Sequence, residues 1–170
     1  AGNGIEFGND SSNGLVRSTI INDIFDSGVT PQTYDSNMAA SDFEFSELNI
    51  SNCGFAGIEI AVLYNNGNTN SSISNVTIDN VDISGNGTGW SGRRYGNEGR
   101  GIKIAADISS DGVTTAGNVS NVSITGAKIS NSRGEGIFLG GNAGTVTIQR
   151  SKIYDNNLDG ILAQEASSST

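Results

Sequence analysis

Asn75-Val76-Thr77-Ile78-Asp79-Asn80-Val81-Asp82-Ile83-Ser84-Gly85-Asn86-Gly87 is the stretch on which the fold turns. Its triplets Val-Thr-Ile and Val-Asp-Ile alternate apolar and polar residues as half-buried strands do, and a short polar step joins them. The same pair of triplets recurs as Phe43-Glu44-Phe45 with Leu48-Asn49-Ile50, Val122-Ser123-Ile124 with Ala127-Lys128-Ile129, and Val146-Thr147-Ile148 with Ser151-Lys152-Ile153. Each copy runs on to a third strand opened by glycine: Gly57-Ile58-Glu59-Ile60, Gly101-Ile102-Lys103-Ile104, Gly136-Ile137-Phe138-Leu139 and Gly160-Ile161-Leu162-Ala163. Self-similarity at a period of tens of residues means stacked units, each burying its apolar face only against its neighbours. Three strands per unit predict a chain wound into three parallel sheets around a narrow dry interior. Successive turns should rise by one inter-strand spacing, ~4.8 Å.

The shortest interval between equivalent isoleucines, Ile137 to Ile161, is 24 residues, which suits a bare coil. Earlier intervals are 35 residues (Ile102 to Ile137) and 44 (Ile58 to Ile102), so the excess must lie in loops. It maps to residues 61 to 74, 84 to 100 and 105 to 119. In the first turn Leu15-Val16 and Ile20 through Phe25 read as strands and residues 28 to 41 as a long polar excursion, with no clear Gly-Ile step. Gly4-Ile5-Glu6-Phe7 already has the form of a third strand.

Two phrases, the opening one and Asn131-Ser132-Arg133-Gly134-Glu135-Gly136-Ile137, resemble the parallel β-helix repeats of the pectate-lyase-like superfamily. The resemblance covers nearly the whole chain. It implies an all-β, right-handed, single-stranded parallel β-helix, here of about five coils with three parallel sheets. That superfamily includes lyases, hydrolases, epimerases, phage spikes and binding modules, so the fold alone does not choose an activity.

We read residues 1–165 as one β-helix domain and residues 166–170, Ala-Ser-Ser-Ser-Thr, as a linker-like tail. A chain of 170 residues buries roughly 70% of its unfolded surface. A linker-like end and an opening without Met suggest a module of a larger, multimodular protein, and fold and surface polarity suggest that it is secreted. The net charge of −9 argues against nucleic acid and anionic membrane as partners, because both demand clustered Lys and Arg. No apolar stretch is long enough to span a bilayer. Cys53 is the sole cysteine, so no internal disulfide exists; it takes the turn place of Asn86 and Ser132 and reads as a small filler. Nothing suggests an oligomer, and a monomer is expected.

Loops 61 to 74 and 105 to 119 both leave the third strand in consecutive turns and should stack into one wall. Loop 84 to 100 enters that strand and should form the other. Between them lies the outer face of the third sheet, where alternation places Glu6, Glu59, Lys103, Phe138 and Leu162. The expected trough is floored by Glu59 and Lys103, with Tyr64 on one rim and Trp90, Arg93, Arg94, Tyr95 and Glu98 on the other. Rings in a Gly-rich loop commonly stack on a sugar face, with guanidinium and carboxylate groups bonding its hydroxyls. The competing reading folds Trp90 back over the helix flank and leaves Arg93 and Arg94 solvated.

Three functions follow for such a trough. The first is a non-catalytic, extracellular carbohydrate-binding module for a neutral or lightly substituted, xylan-like polysaccharide of plant cell walls, with no cofactor. The second is a polysaccharide lyase or glycoside hydrolase. What the resemblance implies for a lyase is Lys103 as base, Arg93, Arg94 or Arg100 as neutralisers, and Ca²⁺ held by Asp107 and Asp111 with Glu59. The chain has no His and no adjacent Asp-Asp, which removes the usual epimerase pair and the paired-Asp hydrolase motifs. Arg100-Gly101-Ile102-Lys103 resembles the Arg-Ile-Lys of pectin hydrolases except for its inserted Gly. Two retaining carboxylates remain conceivable in Glu59 with Glu98 or Asp107. The third function is a purely structural coil of an adhesin or phage spike.

Overall fold

The computed structural model describes residues 2–63, 70–87, 99–107 and 117–165. Among them every strand pairing between named strands is parallel, and strands of one sheet follow one another in chain order, so the chain winds as a right-handed parallel β-helix of about five coils. Sheet A contains β1 (Ile5–Gly8), β4 (Val29–Thr33), β7 (Ala56–Val62), β10 (Arg100–Ala106), β13 (Ile137–Gly141) and β16 (Ile161–Glu165). Sheet B contains β2 (Leu15–Arg17), β5 (Ala39–Ser46), β8 (Ser71–Asp79), β11 (Gly117–Thr125) and β14 (Val146–Gln149). Sheet C contains β3 (Ile20–Asn22), β6 (Asn49–Ser51), β9 (Asp82–Ser84), β12 (Lys128–Ser130) and β15 (Lys152–Tyr154). No helix among the described residues is long and apolar enough to cross a membrane.

Identical side chains stack from coil to coil. In sheet C the inner rung is Ile21, Ile50, Ile83, Ile129 and Ile153, in register throughout. In sheet A it is Ile5, Val29, Ile58, Ile102, Ile137 and Ile161. These columns, apart from Ile161, which is exposed on the last coil, make one continuous apolar cluster with Phe43, Phe45, Ile78 and Ile124 of sheet B.

Corners are equally regular. Between sheets B and C the residues Ser18, Glu47, Asn80, Gly126 and Arg150 all have positive φ, from 48° to 66°. After sheet C the same holds for Asp23, Asn52, Gly85, Asn131 and Asp155. The left-handed conformation suits Asn, Asp and Gly best, which explains why the joining steps are so rich in them.

The Gly-Ile step has a steric origin. A Cβ on Gly101 would lie 2.2 Å from Ile129 Cγ2 and 2.5 Å from the Gly136 carbonyl oxygen; on Gly57 it would lie 2.4 Å from Ile83 Cγ2. Sheet A passes too close to sheet C for any side chain at that point. Gly4 and Gly28 belong to the same column, the nearest obstacle to a Cβ at each being the carbonyl of the next glycine at 2.6 Å.

Two sequence expectations are corrected here. Residues 28 to 41 are not an excursion: Gly28-Val29 is the missing Gly-Ile equivalent, and it opens β4. Val in place of Ile obscured it, and so did Pro31, which a central strand normally excludes because it lacks an N–H. The β4–β7 register runs at Val29, Gln32 and Thr33 and is interrupted at Thr30 and Pro31. Loops 61 to 74 and 105 to 119 are also shorter than expected, because β8 begins at Ser71 and β11 at Gly117. Asn75 and Asn121, both at positive φ, bend these strands, and the buried residues of the leading halves are Ser71, Ile73 and Val119, of which only Ile73 and Val119 are apolar.

Candidate functional site

Sheet A presents its outer face along the ladder that alternation predicts. Glu6 pairs with Thr30, Glu59 with Lys103, Lys103 with Phe138, and Phe138 with Leu162. Thr30 fills the rung between Glu6 and Glu59. Its hydroxyl is buried and has no hydrogen-bond partner among the described residues.

Glu59 and Lys103 meet as expected, and they meet as an ion pair, Nζ to Oε1 at 3.1 Å, with side-chain exposures of only 5% and 12%. The other carboxylate oxygen, Oε2, accepts hydrogen bonds from the Ser27 hydroxyl at 2.8 Å and Gln32 Nε2 at 3.1 Å. A carboxylate withdrawn from water needs such donors to offset its lost hydration. The Lys103 ammonium also lies 5.1 Å from the Phe55 ring centroid, a favourable cation–π distance.

Beside this network lies a recess of about 230 Å³, lined by Asn3, Asp26, Gln32, Phe55, Glu59, Leu63 and Lys103. Asn3, Asp26 and Phe55 come from successive turns as the chain enters sheet A; Gln32, Glu59 and Lys103 are outward rungs of β4, β7 and β10. Asn3 is fixed at both ends of its amide: Oδ1 accepts from the Ser27 N–H at 3.1 Å and Nδ2 donates to Glu6 at 2.9 Å.

On the C-terminal side of Lys103 a second cluster stands. Arg100 Nε donates to Glu135 Oε2 at 2.8 Å, and the pair is 13% and 7% exposed. The guanidinium lies 4.2 Å over the Phe138 ring. Arg100 is therefore held by a carboxylate and a ring.

Tyr64, Trp90, Arg93, Arg94, Tyr95, Glu98 and Asp111 lie outside the described residues. Asp107 follows β10 and donates its N–H to the Val62 carbonyl at 2.8 Å. No group of three or more His, Cys, Asp or Glu side chains suited to a metal occurs among the described residues. Cys53 is fully buried, and desolvation pushes its thiol up to about 12; it packs as a small turn residue, its N–H donating to Asn86 Oδ1 at 3.2 Å.

Sequence reasoning missed Asn3, Asp26, Ser27, Gln32, Phe55 and Leu63. The available signal was Gly28-Val29: accepting Val as the partner of that glycine registers β4, and Gln32 then falls two residues beyond Thr30 on the outer face. Comparison with known proteins adds no relative, since no family model, curated protein or solved structure matches the chain.

Proposed function

We propose that this protein is a non-catalytic carbohydrate-binding module, extracellular and part of a larger polysaccharide-degrading enzyme, which takes a neutral or lightly substituted, xylan-like glycan against the outer face of sheet A. One observation carries the reading: the coils stack through their inner columns, yet the outer face of sheet A holds a buried polar network of Glu59, Lys103, Gln32 and Ser27 beside an aromatic-edged recess. Stacking does not require it. Fixed donors and acceptors next to an apolar wall are what polyhydroxylated rings demand of a site. Trp90 and Tyr95 would add stacking platforms, Arg93 and Arg94 hydroxyl donors, and Tyr64 and Glu98 the rims.

A catalytic reading draws less support. Lys103, the base a lyase would use, donates to Glu59, and Glu59 engages both its oxygens with internal donors. Neither group is offered to a substrate as a base or nucleophile must be.

Affinity electrophoresis through a panel of plant and algal polysaccharides, with product assays alongside, tests the proposal. Retardation without new ends supports a binder with a dissociation constant in roughly the micromolar to millimolar range. Unsaturated or reducing ends would make it an enzyme, and absence of both would leave a structural coil. Trp90→Ala should abolish retardation.

A further inference from the structure

We infer that the recess over β4, β7 and β10 receives a single neutral sugar ring, a chain end or side branch, and not a run of polysaccharide backbone; this rests on the carbohydrate reading above. Size is the first ground. Its volume of about 230 Å³ is below the ~300–1,000 Å³ of clefts that enclose drug-sized ligands, so one ring fills it and two do not.

Closure along the face is the second ground. A backbone lying along the helix axis would cross the rungs of sheet A in order. Towards the C-terminal end it meets Lys103 and then Phe138, whose ring is covered by the Arg100 guanidinium at 4.2 Å, itself anchored to Glu135. Towards the N-terminal end it meets Asn3, tied to Glu6 and to the Ser27 amide. Both ends of the recess are occupied by side chains held in place through other contacts.

Charge and chemistry supply the third ground. Among the described residues the ionisable lining is Asp26, Glu59 and Lys103, two carboxylates to one ammonium, which disfavours a uronate carboxylate. Amide groups of Asn3 and Gln32 offer donors and acceptors for ring hydroxyls, and Phe55 and Leu63 supply an apolar wall for C–H faces. Glu59 acts as a positioning residue: it orients the Gln32 amide and the Lys103 ammonium, and its oxygens are already engaged.

The experiment uses the whole protein on a branched neutral polysaccharide that retards it, competed by neutral pentoses and hexoses, by glucuronate with its carboxylate free, and by polymer whose side branches have been removed enzymatically. A neutral monosaccharide should release the protein, glucuronate should not, and debranching should weaken retention at least tenfold. Gln32→Ala and Asn3→Ala, each checked for unchanged circular dichroism, should weaken competition by the monosaccharide tenfold or more. Retention that no monosaccharide relieves and that survives debranching overturns the single-ring site while leaving a glycan-binding module in place. Failure of every polysaccharide to retard the protein overturns both.

Discussion

The two faces of sheet A obey different rules. Inside, six successive rungs are Ile5, Val29, Ile58, Ile102, Ile137 and Ile161; outside, one residue further along, they are Glu6, Thr30, Glu59, Lys103, Phe138 and Leu162. The inner column is uniform because each side chain packs on its equivalents above and below, so a change in one coil is felt by both neighbours. The outer column carries an acid, a hydroxyl, a base and a ring in positions that the backbone treats alike. What varies where the fold permits repetition is where a ligand-specific surface can be written.

The largest effect should come from the inner side. Gly101→Ala forces a methyl to 2.2 Å from Ile129 and should cost more than about 3 kcal/mol, read as a lowered thermal midpoint by circular dichroism. Gly160→Ala, in the same column but with its nearest obstacle at 3.7 Å, should change the midpoint little. Equal effects at the two glycines would show that close approach of the sheets is not the reason for the Gly-Ile step.

Next comes the outer pair. Glu59→Ala leaves Lys103, Ser27 and Gln32 without their acceptor and should destabilise by about 3 kcal/mol, measured by urea unfolding. The double change Glu59→Leu with Lys103→Met should cost clearly less than Glu59→Ala, since it removes both charges together and leaves only the neutral donors of Ser27 and Gln32 without their acceptor. A double variant as unstable as Glu59→Ala would mean that this pair is part of the architecture after all.

A smaller gain is expected at Thr33. Its hydroxyl faces the interior, in register with Val62, and has no partner among the described residues. Thr33→Val should stabilise by about 1 kcal/mol, and a loss on differential scanning calorimetry would reveal a partner for that hydroxyl.

The smallest effect lies at a corner. Hydrogen bonds from the Ser18 hydroxyl and then Arg17, with the Arg17 charge, hold the Glu47 carboxyl below its ordinary value of 4.5. A carboxyl lowered by folding binds fewer protons in the folded state than in the unfolded one, so its contribution is present above the ordinary carboxylate range and is lost as pH falls through the lowered value. Because Glu47 and Arg17 are solvent-exposed, the contribution is small. Glu47→Gln should slightly flatten the acid limb of a stability-versus-pH curve and leave neutral pH almost unchanged; an unaltered acid limb would assign that limb to other carboxylates.

Much of the winding could be read from the residues themselves. Val76-Thr77-Ile78 and its copies give inner and outer faces directly, and equivalent places in the repeat put Glu59 beside Lys103 before any coordinates are known. The burial of that pair was not legible, because it depends on Ser27 and Gln32 arriving from the coil whose third strand contains Pro31. Phe55 and Asn3 were hidden for a related reason: they sit at corners, where alternation gives no direction for a side chain. Ser71 and Ser74 read as loop because serine reports little about burial, whereas the ladder of β8 with β5 and β11 decides it.

The corner columns tie each coil to both of its neighbours. At Ser18, Glu47, Asn80 and Gly126 the backbone N–H donates each time to a carbonyl of the following coil, those of Ser46, Asp79, Thr125 and Gln149. Two residues further on in such corners the direction reverses: Asn49, Asp82, Lys128 and Lys152 donate back to Thr19, Leu48, Val81 and Ala127. Opposed peptide dipoles largely cancel, so the bent backbone gives the winding little electrical polarity of its own, and the field along its axis is left to the charged side chains on its surface.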